Sequence, residues 1–167
     1  MISNPSMQPP LSVVGAFLHG LEEEFSEVRI ATIDTLVRLS GFSKKFDVNA
    51  LDLLMDMLND DSTEVRMHTL HGLLHMAHVN NSTLLEKHMH MFLGMFNDVK
   101  SDICSAARKI LGRIKLPSIS MFKMTIEALM TNLDKHPQDE QDIISIMSCM
   151  GKNHGTYVLC STNEFVQ

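Results

Sequence analysis

Apolar residues recur along this chain at a nearly constant spacing, and this repeat is the feature that most restricts its fold. In three series the residue number rises by 37 or 38 at each step: Phe17, Leu54, Phe92 and Leu129; Leu21, Leu58, Phe96 and Leu133; and Val28, Val65 and Ile103. Ile143 continues the third series at a longer step of 40, because the turn DKHPQD is three residues longer than its counterparts. A chain that repeats one apolar pattern must bury the same kind of surface several times.

Within each repeat the apolar residues follow the period of an α-helix, and no run of β-branched alternation occurs. The pattern predicts helices at about residues 11–22, 26–41, 48–58, 62–78, 83–96, 100–115, 118–134 and 139–151. Two helices in each repeat of this length are typical of HEAT and armadillo repeats. The predicted fold is all-α, an α-solenoid of about four such hairpins in a right-handed superhelix. Stacking should bury Val28, Val65 and Ile103 between neighbouring hairpins.

The predicted organisation has three parts. Residues 1–10 form a Pro-bearing disordered leader. The repeat domain covers residues 11–152, with units at about 11–45, 46–80, 81–116 and 117–152. Residues 153–167 have no clear amphipathic face, so we predict an irregular C-terminal tail.

Composition narrows the functional class. The net charge of −6 argues against nucleic-acid binding through bulk charge. Three scattered cysteines, Cys104, Cys149 and Cys160, match no zinc or redox motif and are typical of reduced intracellular thiols. The uncharged first 21 residues lack the basic start and the cleavage site of a secretory signal. No apolar stretch approaches the ~20 residues of a membrane helix, so we expect a soluble, intracellular protein that does not insert into membranes.

Acids and arginines also recur with the repeat. Glu23 and Asp60 stand six residues before Arg29 and Arg66, whereas the third unit keeps the acid, Asp98, but has Cys104 at the arginine position. In stacked units a planar guanidinium can bridge the carboxylates of neighbouring turns. We predict a structural ladder in which Arg29 and Arg66 reach Asp60, and Arg66 also reaches Asp98. The alternative is a set of solvated surface charges.

A second set of charged positions recurs on the second helices. Arg38, His75 and Arg113 share one repeat position, and Asp34, His71 and Lys109 share the adjacent one. In this architecture second helices usually line the concave side, which would align Arg38, His75 and Arg113 as a basic ridge. The ridge, with His71 and Lys109 beside it, is a candidate site for an acidic peptide, a phosphate or RNA. The alternative is an ordinary solvated face.

No pattern in the chain indicates an enzyme, a cofactor or a metal site. His68, His71, His75 and His78 lie along one helix, but no nearby Cys or carboxylate completes a metal shell, so we interpret them as a solvent-facing stripe. His88 and His90 are two apart and point in different directions on a helix. Nucleophile-elbow, P-loop and Gly-rich phosphate motifs are absent from the sequence.

Three stretches carry a resemblance to a known family: GAFLHGLEEEFSEVRIATIDTL, LLMDMLNDDSTEVR and HPQDEQDI. Over about residues 14–158 the chain resembles the Integrator complex subunit 4 family, and its plant members above all. Members of that family are much longer, so the chain resembles a middle segment of one. The resemblance implies a non-enzymatic helical scaffold without cofactor or small-molecule substrate.

The same resemblance implies partners and a location. In Integrator, this subunit holds the nuclease pair that cleaves small nuclear RNA and other nascent transcripts. The plant relative is implicated in the movement of a transcription factor between cells. We therefore expect protein partners, either Integrator cleavage-module subunits or a transcription factor. The expected location is the nucleus, with a further cytoplasmic or endosome-associated pool.

Overall fold

The computed structural model describes residues 11–79 and 86–164. This part of the chain contains nine α-helices and no extended sheet. In chain order the helices are α1 (Leu11–Leu21), α2 (Ser26–Leu39), α3 (Lys44–Asp56), α4 (Thr63–Val79), α5 (Glu86–Gly94), α6 (Ser101–Leu111), α7 (Ile119–Lys135), α8 (Glu140–Asn153) and α9 (Gly155–Glu164). The predicted disordered leader, residues 1–10, lies outside the described residues.

The helices form successive hairpins: α1 packs on α2, α3 on α4 and α7 on α8, and in the third hairpin the 3-10 turn that follows α5, Met95–Asn97, packs on α6. The second helices of neighbouring hairpins pack side by side, α2 on α4, α4 on α6 and α6 on α8. First helices pack in the same order, α3 on α5 and α5 on α7. The predicted all-α repeat solenoid is confirmed.

The repeated apolar positions form one continuous core. Leu54, Phe92 and Leu129 are completely buried, and Phe17 at the first position of that series is partly buried. Leu58 and Phe96, which follow the first helices of the second and third hairpins, are also buried. Each hairpin therefore shields the apolar side of its neighbour, as the spacing predicts.

One predicted core residue is not buried. Val65 and Ile103 are 0% exposed, but Val28, at the same repeat position, is 42% exposed. Val65 and Ile103 lie on helices that each pack against a second helix of the preceding hairpin, α2 and α4 respectively. In the described part of the chain α2 has no such preceding helix, so the prediction for Val28 was wrong.

Two predicted boundaries also differ from the structure. Helix α3 begins at Lys44, four residues before its predicted start, because the side chain of Ser43 accepts a hydrogen bond from the backbone N–H of Phe46 and caps the helix there. The predicted irregular tail instead contains α9. Ile119 and Gly155, the first residues of α7 and α9, are 36 apart, so α9 occupies the position of a fifth first helix.

Candidate functional site

The turns inside the second and third hairpins share one conformation. A 3-10 turn, Met57–Asn59 in one and Met95–Asn97 in the other, ends at an aspartate. Asp60 accepts a hydrogen bond from the backbone N–H of Ser62 at 2.8 Å, and Asp98 accepts one from Lys100 at 2.9 Å. This local bond is typical of Asp in turns, and it leaves the other carboxylate oxygen directed at the neighbouring hairpin.

Arg29 joins the first hairpin to the second. Its Nη1 donates to the backbone carbonyls of Glu23 and Glu24 at 2.7 and 2.9 Å, and its Nη2 donates to Asp60 Oδ1 at 2.9 Å. Arg29 Nε lies 2.8 Å from Asp60 Oδ2, an ion-pair contact rather than an aligned hydrogen bond. The exposed Asp61 adds a contact at 3.1 Å. The Arg29 guanidinium thus binds the turn of its own hairpin and the turn of the next hairpin.

Arg66 repeats this arrangement one hairpin later. Its Nη1 donates to the carbonyls of Asp60 and Asp61 at 2.8 and 3.1 Å, and its Nε donates to Asp98 Oδ2 at 2.8 Å. One detail departs from the expectation: Arg66 contacts Asp60 through the backbone carbonyl and not through the carboxylate. The Glu23 position differs in the same way, because Arg29 takes its carbonyl oxygen.

The third junction uses an arginine that the spacing does not reveal. Cys104 stands at the ladder position, and its thiol donates only to the Asp98 carbonyl, at 3.4 Å. One helical turn later the buried Arg108 donates to Asn132 Oδ1 at 2.8 Å and to Asp139 Oδ2 at 2.9 Å. The step from Asp98 to Asp139 is three longer than the usual repeat, which is the length of the insertion in DKHPQD. In the sequence, this insertion is the feature that indicates a different arrangement at the third junction.

Hydrogen bonds keep Arg29 and Asp60 charged, although burial opposes the charged form of both. Burial alone would raise the pKa of Asp60, but hydrogen bonds from Arg29 and from the Ser62 N–H hold this pKa below its ordinary value. The hydrogen bond to Asp60 also raises the pKa of Arg29. Burial raises the pKa of the Cys104 thiol, which makes it a poor nucleophile. The ladder can therefore hold neighbouring hairpins together.

The five basic-ridge residues are all exposed, four on second helices and one just after a second helix. Arg38 lies on α2, His71 and His75 on α4, and Lys109 on α6, and Arg113 follows α6 directly. Because α2 packs on α4 and α4 on α6, equivalent positions lie on adjacent helices. A groove of about 460 Å³ lies between α4 and the start of α6; His71 is the one ridge residue in its lining, which also holds Lys100 and the acids Glu64 and Asp102. The ridge is therefore open to a partner.

Comparison with known proteins identifies relatives of this chain. Protein SIEL of Arabidopsis thaliana is 38% identical over 154 residues, which cover 92% of this chain. Integrator complex subunit 4 of Xenopus laevis is 34% identical over 152 residues, and the Homo sapiens protein is 35% identical over 145. The chain is related to the Integrator complex subunit 4 family.

The match to Integrator complex subunit 4 and SIEL covers only part of those proteins. The chain spans 16% of the length of SIEL and 15% of the human subunit. No family model matches the chain. The relatives support a helical scaffold role for the family, in agreement with the stacked hairpins.

The remaining candidate residues add no other chemistry within residues 11–79 and 86–164. No group of three or more His, Cys, Asp or Glu side chains there could hold a metal ion. His71, His75 and His78 are exposed, while His68 is partly buried with its Nδ1 3.8 Å from Asp34. None of the helices in this part of the chain is long and apolar enough to cross a membrane.

His88, one of the two histidines two residues apart on α5, joins two first helices. His88 is buried, and its Nε2 lies 2.7 Å from Asp52 Oδ1, which joins α5 to α3. Lys87 lies 2.7 Å from the same oxygen. His90 is exposed. The spacing of His88 and His90 gives no sign of this pairing, because Asp52 lies on the preceding hairpin.

Proposed function

We propose that this chain is a non-enzymatic helical-repeat scaffold that holds an acidic segment of a protein partner on the basic ridge of Arg38, His75 and Arg113, with His71 and Lys109 beside it. The observation that carries the proposal is the repetition of exposed basic residues at one repeat position, on α2, on α4 and in the turn just after α6. A partner that crosses the stack would meet one such residue per hairpin. Two arginines with fixed charge provide the main attraction, and their planar guanidinium groups suit carboxylate and phosphate groups.

The relation to Integrator complex subunit 4 supplies candidate partners. On that relation we expect the scaffold to bind other subunits of a nuclear Integrator complex and to support small nuclear RNA 3′-end processing. The relation to SIEL supplies the alternative partner that the resemblance also implies. This partner is a transcription factor whose movement between cells the chain promotes, and part of the protein would then associate with endosomes. Both alternatives use the same scaffold surface and differ in the proteins that it binds.

A charge-reversal experiment tests the ridge. The double variant Arg38→Glu/Arg113→Glu should recover far less of each ridge partner from nuclear extract than the unchanged chain, as measured by affinity purification and quantitative mass spectrometry. Its matched control, Lys44→Glu/Lys45→Glu, makes the same change in net charge at exposed residues of α3. We expect an affinity loss of at least about tenfold for the ridge variant, since like charges brought face to face oppose binding by more than about 1 kcal/mol. Unchanged binding of every partner would remove the proposal.

The second candidate is direct contact with RNA through the same ridge. The registered arginines favour any polyanion, whereas the net charge of −6 opposes long-range attraction of RNA. Titration of a single-stranded RNA at several salt concentrations separates the two candidates. RNA binding carried by the ridge should weaken steeply with salt and should be lost in Arg38→Glu/Arg113→Glu. If protein partners bind and RNA does not, the scaffold proposal alone stands.

A further inference from the structure

The first helices α5 and α7 enclose a groove that the basic ridge does not use. Its volume is about 310 Å³, near the lower end of the range of about 300–1,000 Å³ that is typical of ligand sites. The buried Phe96 and Asn132 and the partly covered Leu93 contribute to its lining. The groove belongs to the layer of first helices, whereas the ridge follows the second helices. A space of this size suits one or two side chains of a partner.

Two small residues keep this groove wide. Gly94 is the last residue of α5, and Ala128 lies in α7 across the groove from it. One repeat earlier, the position of Gly94 holds Asp56 and the position of Ala128 holds His90. The groove therefore opens where the third and fourth hairpins have lost side chains that their predecessors carry.

The fold does not require glycine at position 94. Gly94 has φ −56° and ψ −30°, which is an ordinary helical conformation. A side chain added there would meet no atom within 4 Å. Glycine also destabilises a helix relative to alanine. The benefit of this residue is the close approach that it allows to the backbone of a partner.

The described lining of the groove contains basic residues and no acidic residue. Lys135 Nζ donates to Asn97 Oδ1 at 3.0 Å, which holds the ammonium group across one end of the groove. In the part of the chain that the structure describes, Lys135 forms no ion pair with a carboxylate, so two of its three N–H donors remain for a ligand. His90 lines the groove from α5 and is exposed. The Lys135 end of the groove is therefore suited to an anionic group.

Charges beside the groove favour a single carboxylate over a run of phosphates. Glu127 and Asp134 are exposed on α7, and Asp134 is next to Lys135 in the chain. Both acids would repel a polyanion that extends beyond the groove. The apolar part of the lining, which includes Leu93, also offers nothing to a phosphate group but can be covered by an aliphatic side chain.

We propose that the groove between α5 and α7 is a docking site for a short segment of a partner protein in which an aliphatic residue stands next to an Asp or Glu. The aliphatic side chain covers Leu93 where Gly94 and Ala128 leave room for it. The carboxylate accepts a hydrogen bond from Lys135 Nζ, and such charge-assisted bonds are strong and directional. Because this site uses first helices, it leaves the basic ridge available at the same time.

Peptide titrations followed by NMR spectroscopy test this site. The probes are two acetylated and amidated tetrapeptides, Ala-Leu-Asp-Ala and Ala-Asp-Leu-Ala, which cover the two orders of the acidic and aliphatic residues. At least one of them should shift the amide signals of Gly94 and Thr131 to saturation, with a Kd of about 1 mM or below. The same peptide with Asn in place of Asp should bind at least about tenfold more weakly, since it loses the charge-assisted bond.

Two variants separate the two halves of the site. Lys135→Met should abolish the preference for Asp over Asn, and Gly94→Leu should fill the groove and abolish binding. Gly94→Leu should have a Tm no lower than that of the unchanged chain, because leucine favours a helix more than glycine does. The matched controls are Lys152→Met on α8 and Gly155→Leu on α9, both at exposed positions. Both controls should bind the peptide as the unchanged chain does.

The proposal is overturned if neither peptide gives a saturable shift at about 10 mM, or if the Asp and Asn peptides bind equally. Shifts of the Gly94 and Thr131 signals that grow with protein concentration, without peptide, would overturn it in favour of a second copy of the chain. Tighter binding of a single-stranded oligonucleotide at the same signals would overturn it in favour of nucleic acid. None of these readouts involves Arg38 or Arg113, so this proposal and the basic ridge stand or fail separately.

Discussion

The Arg29–Asp60 pair makes the stability of the fold depend on pH. The pKa of Asp60 is lower in the folded chain than its ordinary value of about 3.9, so the folded state favours the ionised carboxylate. The stabilisation from this shift is complete above the unfolded pKa and is lost as the pH falls through the folded pKa. Asp60→Asn removes that dependence, and it should lower the free energy of unfolding at pH 7 by about 1.5–3 kcal/mol.

Urea unfolding at a series of pH values measures this effect. The difference between the unchanged chain and Asp60→Asn should be constant from pH 7 to about pH 5, then shrink towards pH 2 as Asp60 becomes protonated. Asp61→Asn is the control, since Asp61 touches the same arginine but its side chain is 94% exposed. It should cost less than about 1 kcal/mol. A difference that grows in acid would contradict the assigned direction of the shift.

At the level of single residues, sequence spacing predicted which groups repeat but not which atoms they use. The repeat brings Arg29 near Asp60 and Arg66 near Asp98, since stacked units align equivalent positions. It could not show that Arg66 reaches Asp60 through a backbone carbonyl, because that depends on the turn conformation. Nor could it find Arg108, which serves the third junction from the next turn of its helix.

At the level of elements, the apolar periodicity predicted which helices form. The ends of the helices depend on capping residues, which the periodicity does not show. Ser43 starts α3 earlier than its apolar residues indicate. Helix α9 was missed because its first residues follow a histidine that caps α8 and because its sequence has no strong apolar face. His154 accepts a hydrogen bond at Nε2 from the buried N–H of Leu116 and donates from Nδ1 to the carbonyl of Met150.

His154 therefore joins the connection between α6 and α7 to the junction of α8 and α9. The His154 ring also stacks on the Tyr157 ring, with 5.6 Å between the two ring centroids. His154→Phe keeps a ring for stacking but leaves the Leu116 N–H buried without an acceptor, so it should cost about 1–3 kcal/mol. Equilibrium unfolding gives the total loss, and hydrogen exchange should show it first at the Leu116 amide.

Tyr157→Phe provides the comparison for His154→Phe. It removes only the hydroxyl, which donates to the Leu116 carbonyl at 3.3 Å, and should cost about 1 kcal/mol or less. Equal losses in the two variants would show that the His154 acceptor contributes no more to this connection than the Tyr157 hydroxyl does. Unchanged stability in His154→Phe would remove the structural role assigned to His154.

At the scale of the whole molecule, a stack in which each hairpin touches only its neighbours should lose stability locally when one junction is damaged. The junction between the third and fourth hairpins depends on Arg108, which is 2% exposed and donates to Asn132, Asp139 and Asp142. Asn132 in turn donates to the Phe96 carbonyl at 3.0 Å. This one network joins α6 and the turn before it to α7 and α8.

Arg108→Met should therefore allow the carboxyl-terminal hairpin, α7 and α8, to unfold while the rest of the stack stays folded. Loss of a buried partner costs about 3–5 kcal/mol, and we expect a value at the lower end of that range because Asp139 and Asp142 are partly exposed and can be hydrated. Native-state hydrogen exchange should accelerate about a hundredfold in α7, α8 and α9, while α2 and α4 change little. Arg113→Met, at an exposed site nearby, should alter exchange and stability by no more than about 0.5 kcal/mol. Equal acceleration in every helix from α2 to α8 would mean that the hairpins unfold as one unit, and the nearest-neighbour description of this stack would then be wrong.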